Sequence, residues 1–106
     1  MNTFNDREKA FEAKYEKDQE LQFRVTARKN KLLGLWAAGL LGKSGADAEA
    51  YAKDVVMSDF EKPGDDDVIG KVVGDLTAGG KATDAAAVRK QSSALMAEAK
   101  KQLMAE

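Results

Sequence analysis

Cysteine and histidine are both absent from this 106-residue chain. Without cysteine there are no disulfides and no zinc–thiolate sites, and a reducing compartment is permitted. Without histidine the chain lacks the usual general base, the commonest metal ligand and the side chain that changes charge near neutral pH. Neither a Ser–His nor a Cys–His nucleophile pair can be built, so the inventory points away from an enzyme. Charge of one sign is also missing. Lysine plus arginine is 17, aspartate plus glutamate is 18, and the formal net charge is −1. No bulk basic field exists to hold nucleic acid or an anionic membrane. The longest apolar run, Leu32 to Leu41, falls well short of the ~20 residues of a membrane span. The segment Met1 to Lys9 is mixed in charge and has no apolar core of a signal peptide. These features predict a soluble, cytoplasmic protein with no direct membrane insertion.

What is present is helical. Hydrophobic residues make up 43% of the chain, enough for the core of one small domain. Proline occurs once, at Pro63, and the breakers cluster at Gly42-Lys43-Ser44-Gly45, Lys62-Pro63-Gly64 and Gly79-Gly80. Residues suited to capping follow each: Ser44 with Asp47 three positions on, Asp65 to Asp67, and Thr83 with Asp84. No segment alternates with period two, so no strand is expected. Apolar residues recur at helical spacing. Leu21, Val25, Leu32, Trp36, Gly39 and Leu40 share one face, with Leu33 and Leu35 beside it. Ala48, Tyr51, Ala52, Val55 and Phe60 form a second stripe. Val68, Ile69, Val72, Val73 and Leu76 form a third, and Val88, Ser92, Leu95, Ala99 and Leu103 a fourth. Four amphipathic stripes joined by short loops predict an all-α protein: a compact four-helix bundle over residues 21–106, with helices at about 21–41, 45–61, 66–78 and 84–104. Gly70 and Gly74 fall on the polar side of the third helix.

Residues 1–20 form a separate N-terminal arm, flexible or helical. The large apolar side chains after Met1 are Phe4, Phe11 and Tyr15, which lie within about 20° of one line on a helix. Gln22, not Leu21, continues that line, so the arm and the core are expected to use different faces. Glu8, Glu12, Glu16 and Glu20 repel one another at i, i+4, at roughly 0.2–0.5 kcal/mol per pair. Three aromatics without a core do not offset the entropy of ordering the segment. The arm should therefore be partly or wholly disordered alone, and helical when a partner supplies a groove. Further on, Arg24, Arg28, Lys29 and Lys31 form a basic run with no acid among them. It reads as a solvated face or a docking patch for an acidic partner.

Ala37-Ala38-Gly39-Leu40-Leu41-Gly42-Lys43-Ser44 fits a relaxed phosphate-loop pattern. A phosphate loop follows a β-strand and presents successive backbone N–H groups, whereas this segment follows an apolar helix in which Leu40 and Leu41 look buried. The position of Lys43 and Ser44 beside the N-terminus of the next helix suits a weaker anion site. Asp65-Asp66-Asp67 lacks the alternating ligands of a calcium loop, and no metal site is expected. Trp36 and the methionines read as core filler.

The run Phe4-Asn5-Asp6-Arg7-Glu8-Lys9-Ala10-Phe11-Glu12-Ala13-Lys14-Tyr15, then Arg28-Lys29-Asn30-Lys31-Leu32-Leu33-Gly34-Leu35-Trp36-Ala37-Ala38 and Ala48-Glu49-Ala50-Tyr51-Ala52-Lys53, resembles the zeta subunit of alphaproteobacterial F-type ATP synthases. The resemblance is most specific over residues 4–56. It implies an inhibitor of ATP hydrolysis whose N-terminal segment, here Asn2 to about Lys17, enters the interface of the alpha, beta and gamma subunits as a helix and blocks rotation. Phe4, Arg7, Phe11 and Tyr15 are then the partner-binding residues. The protein would lie peripherally on the inner face of the plasma membrane when bound to the synthase. The resemblance also implies ADP or ATP as a bound ligand, with no cofactor required. The rivals are a nucleotide-binding regulatory bundle, with Lys43 and Ser44 at the phosphate, and a generic helical adaptor. Gly39, Gly70 and Gly74 depart from the acidic or charged residues expected of the family there.

Overall fold

The computed structural model describes residues 3–106, and their side chains from Asp6 onward. Five helices follow one another: α1 (Thr3–Lys17), α2 (Gln19–Leu40), α3 (Gly45–Glu61), α4 (Asp65–Ala78) and α5 (Ala85–Ala105). No strand occurs among the described residues.

Turn chemistry fixes the helix ends. At Gly42 (φ +78°) the chain closes α2: Lys43 N–H donates to Ala38 O at 2.9 Å and Gly42 N–H to Gly39 O at 3.1 Å. This is the paired closure that a left-handed glycine permits. Asp84 caps α5, accepting from Ala87 N–H at 2.8 Å. Two expected caps are absent. Ser44 precedes α3 but its side chain makes no capping bond, and the residue before α4 is Gly64, which has no side chain to cap with. Asp65, Asp66 and Asp67 lie inside the first turn of α4. There they complement the helix dipole, and two of them turn to cations on other helices.

α2 is the central helix, packed chiefly against α3 and α5. The main core joins Leu33, Ala37 and Ala38 of α2 to Tyr51 and Val55 of α3, Val68, Ile69, Val72 and Leu76 of α4, and Val88 of α5. The expected face of α2 points inward at Leu21, Val25 and Leu32, but not beyond them. Leu33 is fully buried, Leu40 is 43% exposed, and Trp36 packs only at the edge of the core. The small residues explain the rotation. Gly34, Ala37 and Ala38 let α3 approach closely, and this approach sets which way α2 faces. Phe60 is likewise exposed, and its ring packs tilted at 52° against that of Phe23, which is also exposed, with centroids 5.4 Å apart.

A second, smaller apolar cluster lies towards the start of α2 and the end of α5. It consists of Val25, Ala99 and Leu103, with Leu21, Leu32 and Met96 against it. Between the two clusters along α2 and α5 come the buried polar residues Lys29, Asn30 and Ser92. Lys29, 1% exposed, donates to Asp65 Oδ1 at 2.7 Å and ties α2 to the start of α4. Asn30 Oδ1 is buried without a hydrogen-bond partner.

Candidate functional site

α1 and α2 are separated by one residue. Asp18 takes an extended conformation (φ −108°, ψ 106°), and its carboxylate accepts from Leu21 N–H at 3.2 Å, capping α2. Gln22 Nε2 donates to the carbonyl oxygens of Tyr15 (3.0 Å) and Glu16 (3.3 Å) and so caps the end of α1. The expectation that the arm's aromatic line lies off the core fails for this reason. It assumed one continuous helix, and the break at Asp18 lets α1 take its own orientation against the rest of the chain.

Phe11 and Tyr15 are half-buried and pack against the smaller cluster of Val25, Ala99 and Leu103. Lys100 of α5 meets two residues of α1, Tyr15 and Glu12. Its Nζ lies 4.2 Å from the centroid of the Tyr15 ring, a cation–π contact, and 3.4 Å from Glu12 Oε2. A groove of about 420 Å³ runs between α1 and α5, with Glu8, Phe11, Met96, Ala97, Lys101 and Met104 on its walls. Arg7 is exposed on α1. Asn2 and the side chain of Phe4 lie outside the described residues; the backbone of Phe4 belongs to α1. The structure thus brings Phe11 and Tyr15 together on one face and leaves Arg7 to solvent. Lys100 gave no sign in the sequence, and Gln22, noted there only for its place on the arm's line, gave none of its capping role. Asp18, with Leu21 three positions on, carried the local signal for a new helix N-terminus.

Lys43 and Ser44 sit in the exposed turn between α2 and α3. The N–H groups of Gly42 and Lys43, which a phosphate loop would present to its ligand, are bonded to carbonyls of α2. A larger groove, about 470 Å³, lies where Trp36, Leu40 and Leu76 face Lys81, Lys90 and Gln91. Three cations of the basic run are engaged within the chain. Arg28 donates to Glu106 Oε1 at 2.6 Å, Arg24 approaches the same carboxylate at 3.7 Å, and Lys29 is held by Asp65. The hydrogen bond from Arg28 holds the Glu106 carboxyl below the usual carboxylate range, with smaller help from the Arg28 and Arg24 charges. An acidic partner would have to displace these pairs. Between α3 and α4, Tyr51 O–H donates to Asp75 Oδ2 at 2.9 Å, and Lys71 reaches the same oxygen at 3.0 Å. Burial, and then that bond to Asp75, raise the Tyr51 phenol far above its ordinary value.

Among the described residues no group of side chains could hold a metal ion, and no helix is long and apolar enough to cross a membrane. No curated protein matches the chain. A solved structure, determined by NMR in solution, is 52% identical with a TM-score of 0.69 and covers 79% of this chain and 95% of its own. The family model of the ATPase inhibitor subunit zeta matches residues 1–102. With an all-helical fold and a match over nearly its full length, the chain belongs to the zeta-subunit family of the alphaproteobacterial F-type ATP synthase, whose members are regulatory inhibitors and not enzymes.

Proposed function

We propose that residues 1–20 act as the inhibitory arm and residues 21–106 as a four-helix bundle that carries it. The arm would enter the interface of the alpha, beta and gamma subunits as a helix and stop rotation, and with it ATP hydrolysis. One observation carries the reading. Among its described side chains, Asp6 to Lys17, α1 contributes no fully buried residue to either cluster, and it joins the rest through a single extended residue, so it is a preformed helix that can leave. Phe4, Phe11 and Tyr15 serve as apolar anchors, and Arg7 as the charged one, because its planar fork matches a carboxylate. The protein would then sit at the inner face of the membrane through the synthase, with no span of its own. Steady-state ATP hydrolysis by the cognate enzyme tests this. Arg7→Ala should weaken inhibition by roughly tenfold, the scale of a lost hydrogen bond to a charged group, and a chain lacking residues 1–20 should not inhibit. Full inhibition by that truncated chain would place the activity on the bundle surface.

A second reading, ADP or ATP as a bound ligand of the bundle, is favoured by the Trp36 groove, which pairs an aromatic wall with Lys81 and Lys90. The exposed turn at Lys43 and Ser44 encloses less. Nucleotide should change Trp36 fluorescence, and Lys90→Ala should weaken binding. Binding seen by calorimetry with a silent Trp36, lost in Lys43→Ala, would return the site to the turn.

A further inference from the structure

We infer that the protein's own α2–α5 surface competes with the synthase for the arm, so that only the undocked fraction inhibits. This rests on the arm reading above. The residues that would anchor the arm in a foreign groove are already in use. Phe11 and Tyr15 lie against Val25, Ala99 and Leu103, and a ring cannot face α5 and another subunit at once. Lys100 holds the docked helix twice, through the face of Tyr15 and the carboxylate of Glu12. Gln22 fixes its last turn through the Tyr15 and Glu16 carbonyls. The groove that the arm needs in order to be helical is therefore supplied within the chain.

The hold is also shallow. Among the described side chains of α1, Asp6 to Lys17, none is fully buried, the Glu12–Lys100 pair is long at 3.4 Å, and the α1–α5 groove is only partly filled. Half-exposed ion pairs and cation–π contacts are weak, and segments with few buried contacts open first. Docking of this kind is reversible. It lowers the apparent affinity for the synthase by the fraction of molecules that are open. Departure of α1 exposes Leu21, Met96 and Lys100, so the bundle presents a different face in the complex from the one it shows alone.

The test uses the full chain and the cognate ATPase. Lys100→Ala weakens docking and leaves every arm residue intact. It should lower the half-inhibitory concentration by roughly threefold to tenfold and speed amide hydrogen exchange in Phe11 to Lys17 of the free protein by a similar factor. Unchanged or weaker inhibition, with unchanged exchange, would overturn the proposal. A second variant locks the arm. Because the chain has no cysteine of its own, Glu12→Cys with Lys100→Cys provides the only two thiols for a cleavable bis-maleimide. The linked protein should fail to inhibit and regain inhibition when the linker is cut. Comparison of the same molecule before and after cleavage removes any folding cost. Equal inhibition in both forms would sink the competition. Arg7→Ala separates the two ideas. If it inhibits like the parent, the arm reading itself fails; if it loses inhibition while the linked protein still inhibits, only the docking proposal falls.

Discussion

A methyl group added to Gly34 should destabilise the protein, and the same methyl added to Gly70 or Gly74 should stabilise it. All three glycines lie inside helices, where alanine is favoured by about 0.8–1 kcal/mol. Their surroundings decide the sign. A Cβ on Gly34 would stand 2.6 Å from Ala52 Cα, 3.2 Å from Ala52 Cβ and 3.3 Å from Val55 Cβ. The nearest of these is backbone, so no rotamer change relieves it, and α3 must slide away from α2 along their whole seam. Overpacking of a tight core costs roughly 1–3 kcal/mol. After the helix gain is offset, Gly34→Ala should lose about 1–2 kcal/mol. A Cβ on Gly70 or Gly74 meets nothing within 4 Å, so each should gain nearly the full propensity difference. Urea unfolding followed by far-UV circular dichroism gives both signs, provided the slope m is unchanged between variants. In a domain of this size each kcal/mol moves the melting point by several degrees. A Gly34→Ala protein that melts at or above the parent would refute the close α2–α3 approach, and with it the account of why α2 faces as it does.

Asp65→Ala should leave the buried Lys29 ammonium without its partner and cost roughly 1–3 kcal/mol, whereas Lys29→Met should be near neutral because an apolar chain of similar length replaces the pair; thermal melts of both decide, and equal losses would mean the pair itself is not the cause. Tyr51 titrates higher in the folded chain than unfolded, so its contribution is complete below the ordinary phenol value near 10 and is lost as pH rises through the raised folded value. Stability measured from pH 9 to 12 should fall with pH, and Tyr51→Phe should flatten that fall; a parallel slope in the variant would assign it to other groups.

The breaks after α2, α3 and α4 were legible because their causes are local: a left-handed glycine at Gly42, the single proline, the paired Gly79 and Gly80; the break at Asp18, which has neither glycine nor proline, was not. Orientation was less so. The segment Leu32 to Leu41 is apolar on nearly every side, so its periodicity favours Leu40 and Trp36 as readily as Leu33. The decision came from residue size at Gly34, Ala37 and Ala38, a property of the partner helix as much as of the segment. The burial of Lys29 was hidden for a related reason, since its partner Asp65 lies on another helix. In the candidate site Phe11 and Tyr15 stood out by spacing alone, yet Lys100, 88 positions from Glu12, offered no signal until the helices were placed.

The polar layer of Lys29, Asn30 and Ser92 has a consequence for how this chain tolerates change. It separates an apolar cluster that touches the arm from one that no described side chain of the arm touches. Substitutions on its two sides share few neighbours, so their effects should be close to additive. Under the arm mechanism proposed above, the Leu33 side can drift in packing and heat tolerance without retuning inhibition, and the Val25–Leu103 side can be adjusted to a changing rotary enzyme without unmaking the fold. Stability and inhibition would then be set on one small protein through largely separate sets of residues.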